Sequence, residues 1–177
     1  VLGDGGVRPL DVRQDSRRVQ AGDLFVTRTG DPGHIDEAVR RGACSVLRPS
    51  PAAGVDSSGL VLSVPVIEVA ATRIRQALGI AASAVHGHPS FAQDVLAVTG
   101  TNGKTTTTSL IADALDFLQG RPCCACIGTI GARLGSTVRP TSHTTPDADE
   151  LARLLAWSAR LGASAVAIEA SSHALHQ

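Results

Sequence analysis

The chain has 177 residues, with 16 Lys plus Arg and 16 Asp plus Glu, so its formal net charge is zero. This balance argues against a nucleic-acid-binding protein, because such proteins concentrate positive charge where they meet phosphates. Three Phe, one Trp and no Tyr also leave few rings on which bases could stack. The sequence shows no signal peptide and no apolar stretch long enough to cross a membrane, so we expect a cytoplasmic protein.

Residues 1–88 are predicted to form a small α/β domain. Short apolar stretches between turn residues predict four strands, at Val7–Val12, Asp23–Val26, Cys44–Leu47 and Leu60–Ile67. Asp15–Arg17 is predicted as a polar turn. Apolar residues at helical spacing predict one helix around Ile35–Val39 and another, of about four turns, after Glu68.

The segment around His86 and His88 has two interpretations. Two imidazoles two residues apart could chelate a metal ion. A glycine between them and Pro89 after them are more typical of a connection between domains. We therefore predict a domain boundary after residue 88 and a linker over residues 89–94, followed by a second domain over residues 95–177.

The second domain opens with an apolar run that leads into Thr99–Gly103, Lys104 and Thr105, the arrangement of a strand, a phosphate loop and a helix. Gly100 and Gly103 can adopt positive φ and let backbone N–H groups converge on an anion. Lys104 would add a full charge for the β- and γ-phosphates, and Thr105 stands where a hydroxyl would bind Mg²⁺. A glycine turn with a solvated lysine is the alternative, but the order of the elements favours a nucleoside triphosphate site.

The rest of this domain is predicted to be an incomplete, mostly parallel sheet with flanking helices. The helix after the loop is expected to end at Gly120 and to bury one face, comprising Leu110, Ile111, Ala114, Leu115 and Leu118. A buried strand at Cys123–Ile130 and a hairpin turn at Leu134–Ser136 follow. Asp147 and Glu150 have capping-box spacing before a helix with an apolar stripe, formed by Leu151, Leu154, Leu155 and Leu161.

A cluster of polar residues follows the last predicted strand, Ala163–Ile168. In parallel sheets, ligands bind at the carboxyl ends of strands, so Glu169 could reach a Mg²⁺ ion held by phosphates and Thr105. A solvated carboxylate at a strand end is an equally weighted alternative. A Ser172–His173 nucleophile pair is disfavoured, because adjacent residues on a strand point to opposite faces.

The four cysteines are predicted to be reduced. Cys123, Cys124 and Cys126 share one apolar run and Cys44 stands alone, which suits neither a disulfide framework nor a paired zinc motif.

Several segments resemble, in one order, the Mur ligase family. Asp15–Arg17 and Ala21–Val26 are similar to the DSR and GDLF signatures of its N-terminal domains. His88–Ser90 and Val98–Thr106 are similar to its linker and its TGTNGKTT loop. Two later segments resemble the TTP and EVSSHAL motifs of the MurE type, namely Thr144–Pro146 and Ile168–Leu175. The resemblance covers roughly residues 10–177.

The resemblance implies an ATP-dependent ligase that adds a diamino acid to UDP-MurNAc-L-Ala-D-Glu through an acyl phosphate. ATP phosphates would be held by Gly100, Thr101, Asn102, Gly103, Lys104, Thr105 and Thr106. Lys104 and Glu169 would be catalytic, and Thr105 and Glu169 would serve Mg²⁺. Ser16 would contact the uridine diphosphate. The muramoyl peptide would contact Thr144, Thr145, Ser171 and Gln177.

The sequence also departs from the family pattern. The Thr29–His34 loop is shorter than usual, His143 stands where some relatives have Asn, and Ala170 replaces a common Val. Family residues expected beyond Gln177, including a carbamylated lysine and the domain that selects the diamino acid, have no counterpart, so we expect a fragment that cannot catalyse the reaction alone.

Two alternative functions stay open, namely a non-catalytic nucleotide- or UDP-sugar-binding module and a folylpolyglutamate-type ligase. The diamino acid, meso-diaminopimelate or lysine, and the oligomeric state are not indicated.

Overall fold

The computed structural model describes residues 6–51 and 63–172. The chain divides into two compact units, Val1–Val85 and His86–Gln177, a division close to the boundary predicted after residue 88. Both units combine helices with mainly parallel strands, so the predicted α/β class is confirmed.

The first unit is a four-stranded parallel sheet. Its strands are β1 (Val12–Arg13), β2 (Leu24–Val26), β3 (Ser45–Pro49) and β4 (Val66–Val69), hydrogen-bonded in chain order. Helix α1 (Pro32–Arg40) connects β2 to β3, and helix α2 (Ile74–Val85) follows β4. The core joins the sheet to α1 through buried side chains, namely Val19, Phe25, Ile35, Ala38, Ala43 and Val46.

The first predicted strand is much shorter than expected. The prediction covered Val7–Val12, whereas β1 begins at Val12 and the Leu10 side chain is exposed. Pro9 lacks an N–H group, so it cannot donate to a ladder at this position.

The second predicted helix begins later than expected. Glu68 lies in β4 rather than in the helix, and its carboxylate pairs with Arg48 of β3 at 2.7 Å between Nη2 and Oε1. A 3₁₀ turn at Ala71–Arg73 then precedes α2. Cross-strand pairing of Glu68 therefore takes priority over its helix propensity.

The second unit has a five-stranded mixed sheet. Its strands are β5 (Asp94–Val98), β6 (Cys124–Gly128), β7 (Gly131–Leu134), β8 (Thr137–Arg139) and β9 (Ala165–Glu169), in the spatial order β5-β9-β6-β7-β8. Helices α3 (Lys104–Gln119) and α4 (Ala148–Arg160) belong to the same unit. The last strand, β9, lies between the first two and is parallel to both. β7 and β8 form the predicted hairpin, with Gly135 at φ +55° in its turn.

Helix α3 ends at Gly120 as predicted, but only part of its predicted apolar face is packed against the sheet. Leu110 and Leu118 are 63% and 76% exposed, whereas Thr108 and Ala112 are buried. Small residues let the helix approach the sheet closely, where Ala112 packs with Cys123, Cys124, Ala165 and Ala167. Ile111 and Leu115 of the predicted face are half-buried against this cluster. The prediction is therefore wrong only for the other residues of that face, which are exposed.

Residues 89–94 are packed into the second unit. Pro89–Phe91 form a 3₁₀ turn, and the Gln93 side chain is buried. The Gln93 amide donates to the carbonyl of Leu155 at 2.9 Å and accepts from the Ser158 hydroxyl at 2.6 Å. The hydrogen bonds of Gln93 therefore connect the first residues of the second unit to α4.

Candidate nucleotide and metal site

The phosphate loop forms where β5 ends and α3 begins. Thr99–Gly103 are exposed, and α3 starts at Lys104, as the sequence predicts. Gly100 has φ +143° and Gly103 has φ +79°, both in the region that favours glycine. A Cβ on Gly103 would meet nothing else within 4 Å among the described residues, so glycine is needed here for backbone conformation and not for space.

The start of α3 suits an anion. Because Gly103 is the N-cap and has no side chain, it cannot cap the first N–H groups of the 16-residue helix. These groups and the helix dipole favour negative charge at this end. Thr105 is half-buried in the first turn and Thr106 is exposed, so both lie at the predicted phosphate position.

The Lys104 side chain folds back over the loop. Its Nζ donates to the carbonyl oxygens of Gly100 at 2.7 Å and Thr101 at 3.2 Å. The ammonium group therefore already lies above the loop that would hold phosphates. A bound phosphate would compete with these carbonyls for the three N–H groups of Lys104.

Glu169 is the last residue of β9 and is only 1% exposed. The ladder pairs it with Val98, the last residue of β5 before the phosphate loop. Adjacent strands lie about 4.8 Å apart, so the backbone of Glu169 is one strand away from the start of the loop. The structure thus brings together two segments that are far apart in the sequence.

Thr129 holds the carboxylate of Glu169. Its backbone N–H donates to Oε1 at 2.9 Å, and its hydroxyl donates to Oε2 at 3.2 Å. Gly128, immediately before Thr129, leaves the space that the carboxylate fills, because a Cβ there would lie 2.0 Å from Oε1. Neither residue is predicted from the sequence, although Gly128 ends a parallel strand and Thr129 follows it, at the sheet edge where ligands bind.

The segment 141–146 is attached to the same edge. The Thr145 hydroxyl donates to the backbone oxygen of Glu169 at 2.7 Å and accepts from the Ser171 N–H at 2.9 Å. Thr144 Oγ1 lies 3.1 Å from Thr129 Oγ1. Three residues predicted from the resemblance, Thr144, Thr145 and Ser171, therefore gather around Glu169.

The predicted capping box at the start of α4 is wrong. Asp147 is the N-cap by position, but within the described part of the chain its side chain makes no capping hydrogen bond. Glu150 instead accepts from the N–H and hydroxyl of Ser142, and the Ser142 hydroxyl also contacts His143 Nδ1 at 3.1 Å. Glu150 therefore stabilises the segment 141–146 rather than the helix end.

Ser16 lies in the first unit, in a 3₁₀ turn capped by the Asp15 side chain. The Ser16 side chain is buried, and its hydroxyl donates to Glu37 Oε2 at 2.6 Å. This hydrogen bond, aided by Arg41, lowers the pKa of Glu37 below its ordinary value. Gln177 and His173 lie outside the described residues.

The donor chemistry fits Mg²⁺ at Glu169 and Thr105. Each carboxylate oxygen of Glu169 uses one lone pair toward Thr129 and keeps others for a cation. Mg²⁺ typically takes one or two protein oxygens and fills its remaining positions with water and phosphate. Among residues 6–51 and 63–172, no group of three or more His, Cys, Asp or Glu could hold a metal alone.

In the same residues, no helix is long and apolar enough to span a membrane.

The cysteines are free thiols, as predicted. Burial raises the pKa of the Cys124 thiol to about 11. At pH 8 the thiol should therefore be almost entirely protonated, and we expect Cys124 to resist iodoacetamide in the folded chain but to react after unfolding in urea. Peptide mass spectrometry of samples quenched over time measures this. Equal labelling rates in the two conditions would contradict the prediction.

Comparisons with known proteins agree with the geometry. The sequence profile described as Mur ligase middle domain matches residues 98–177. A UDP-N-acetylmuramoyl-L-alanyl-D-glutamate--2,6-diaminopimelate ligase of Xylella fastidiosa is 45% identical over 167 residues, covering 92% of this chain and 32% of the relative. The chain therefore spans about a third of the length of this curated relative.

Two solved structures share the fold. A structure of UDP-N-acetylmuramoyl-L-alanyl-D-glutamate--2,6-diaminopimelate ligase has a TM-score of 0.69 and 30% identity, covering 95% of this chain and 33% of that one. The MurF ligase of Thermotoga maritima in complex with ADP has a TM-score of 0.55 and 19% identity, covering 96% and 34%. The resemblance identified from the sequence motifs is confirmed.

Proposed function

We infer that this chain, whose residues 98–177 belong to the Mur ligase family, is the nucleotide-binding part of an ATP-dependent ligase that joins a diamino acid to UDP-MurNAc-L-Ala-D-Glu. The pairing of Val98 with Glu169 between β5 and β9 carries this proposal. It places the residue that carries a buried carboxylate one strand away from the start of the phosphate loop, and a cation that bridges phosphate oxygens needs an oxygen ligand.

The phosphate loop would bind the triphosphate of ATP. Backbone N–H groups of the loop and the first turn of α3 would face the phosphate oxygens, in particular those of Gly100, Thr101, Asn102, Gly103 and Thr106. Lys104 would neutralise charge on the transferring phosphoryl group. The Thr105 hydroxyl and the Glu169 carboxylate would hold Mg²⁺, which draws charge from the phosphate oxygens when bound.

In the proposed reaction, a carboxylate oxygen of the D-Glu residue attacks the γ-phosphorus of ATP, and the bond to the bridging oxygen breaks so that ADP leaves. The amine of the diamino acid then attacks the carbonyl carbon of the acyl phosphate. Inorganic phosphate departs with the electron pair of the C–O bond, and the amine loses a proton. The described residues contribute by holding and neutralising the phosphates.

Substrate contacts are proposed on two surfaces. Thr144, Thr145 and Ser171 lie at the edge that carries Glu169, so they are suited to the muramoyl peptide. Ser16 would contact the uridine diphosphate, which requires its hydroxyl to exchange Glu37 for the ligand. Gln177 is proposed as a further peptide contact.

The use of ATP and a UDP-linked acid is consistent with the cytoplasmic location that we expect.

A chimaera tests the proposal. Residues of the Xylella fastidiosa ligase that align with this chain are replaced by this chain's own residues. We expect the chimaera to release ADP only when both UDP-MurNAc-L-Ala-D-Glu and 2,6-diaminopimelate are present. Lysine is tested as the alternative amine. The 177-residue chain alone should release none, because it spans about a third of that relative. A chimaera that folds and binds ATP, as judged by circular dichroism and calorimetry, but releases no ADP would contradict the proposal.

A further inference from the structure

Thr129 contacts both oxygens of the Glu169 carboxylate. Its N–H approaches Oε1 at 2.9 Å and its hydroxyl approaches Oε2 at 3.2 Å. Two donors from one residue, one on each oxygen, restrain the rotation of the carboxylate plane. A single donor would leave that rotation free, so the hydroxyl adds orientation as well as a hydrogen bond.

The same hydroxyl lies 3.1 Å from Thr144 Oγ1. A hydroxyl has one proton, and a carboxylate can only accept. The Thr129 hydroxyl therefore donates to one of two acceptors at a time, Oε2 of Glu169 or Oγ1 of Thr144. The backbone N–H of Thr129 donates to Oε1 of Glu169 in either case.

Gly128 and Thr145 further restrict the movement of Glu169. Gly128 lies against the Cγ, Cδ and Oε1 atoms of Glu169, and an added Cβ would come within 2.6 Å of each. The Thr145 hydroxyl holds the Glu169 backbone oxygen at 2.7 Å. Thr129 itself is exposed, so its side chain can be changed without disturbing the core.

We propose that Thr129 is a positioning residue that orients the Glu169 carboxylate toward the cation accompanying ATP. This inference rests on the proposed function, in which Glu169 serves Mg²⁺. Carboxylates that bind metals are generally fixed by hydrogen bonds of their own, and the loss of such a partner typically lowers metal affinity by about 10- to 100-fold. Thr129 would act through Glu169 without touching the nucleotide.

The test measures how much Mg²⁺ improves ATP binding. The dissociation constant of ATP is determined by calorimetry for the 177-residue chain with excess Mg²⁺ and with EDTA, and the ratio of the two constants gives the benefit due to the metal. Thr129→Val removes the hydroxyl at nearly constant shape, and Thr129→Ser keeps it. We expect Thr129→Val to reduce the ratio by about tenfold or more and Thr129→Ser to stay within about threefold of the original chain.

A second measurement uses Mn²⁺ in place of Mg²⁺. The electron paramagnetic resonance spectrum of Mn²⁺ with ATP and the chain should change in Thr129→Val and recover in Thr129→Ser. Glu169→Gln separates the two proposals. If Glu169→Gln abolishes the Mg²⁺ benefit while Thr129→Val retains it, the role of Thr129 is refuted and the proposed function stands.

Two further outcomes would also overturn the inference. If Thr129→Val weakens ATP binding equally with Mg²⁺ and with EDTA, then Thr129 has a structural role only. If Glu169→Gln and Thr129→Val both leave the Mg²⁺ benefit unchanged, then the metal role of Glu169 fails and the role of Thr129 fails with it. Unfolding curves followed by the fluorescence of Trp157, the sole tryptophan, verify that each variant is folded.

Discussion

Replacing Lys104 with alanine is expected to weaken the binding of ADP and ATP by about 10- to 100-fold, because hydrogen bonds to charged groups contribute about 1.5–3 kcal/mol. Nζ already lies above the loop, bonded to the carbonyls of Gly100 and Thr101, so it needs little reorganisation to reach a phosphate. When the nucleotide dissociates, Nζ loses its hydrogen bonds to phosphate and donates again to these two carbonyl oxygens. Isothermal titration calorimetry on the 177-residue chain measures the change.

Arg160→Ala is the matched control for this experiment. Arg160 is an exposed cation in the last turn of α4, and its removal changes the net charge of the chain by the same amount. Nucleotide binding should be nearly unaffected in this variant, since long-range effects of exposed charges are screened by salt. If Lys104→Ala binds within threefold of the original chain, or if Arg160→Ala weakens binding as strongly, the phosphate role of Lys104 is excluded.

Gly128→Ala is expected to destabilise the second unit by about 2–4 kcal/mol, which corresponds to about 10 °C or more in the melting temperature of a domain of this size. The new Cβ would lie 2.0 Å from Oε1, 2.4 Å from Cδ and 2.6 Å from Cγ of Glu169. Glu169 is 1% exposed and held by Thr129, so the whole side chain must move. Its charge would then be buried with fewer hydrogen bonds.

Unfolding of this unit is conveniently observed through Trp157. The side chain is 4% exposed in the core, and Arg139 lies 5.3 Å from its ring centroid. The decisive control is a double-mutant cycle with Glu169→Ala, which removes the three atoms that the new Cβ would meet. Gly128→Ala should cost at least about 1 kcal/mol less in that background. Equal costs in both backgrounds would show that Glu169 is not the reason for glycine at this position.

Local features of the second unit were predictable because their causes lie within a few residues. The start of α3 at Lys104, its end at Gly120 and the turn at Gly135 depend on glycines with positive φ. The parallel strands followed from apolar runs between turns. Predictions failed where tertiary packing competed with local preference: Leu110 is exposed because the side of α3 that contacts the sheet is centred on Ala112.

Glu150 gives a second example of such competition. Its spacing from Asp147 predicts a capping box, but Ser142 offers two donors to its carboxylate. A carboxylate accepts from whichever donors its surroundings bring nearest, and spacing in the sequence does not include a loop that folds over the helix. The buried amide of Gln93 was missed for the same reason, since its partners Leu155 and Ser158 are more than 60 positions away.

By itself, the sequence determined the phosphate loop, because Gly100, Gly103 and Lys104 act through backbone conformation and a charge that adjacent residues supply. Only the tertiary structure decided which side chains accompany that loop. β9 is the last strand in the chain yet lies between β5 and β6, so Glu169 pairs with Val98 in the ladder and meets Thr129, which is 40 positions earlier. The order of strands in a sheet depends on how distant segments pack, and a motif read along the chain carries no information about it.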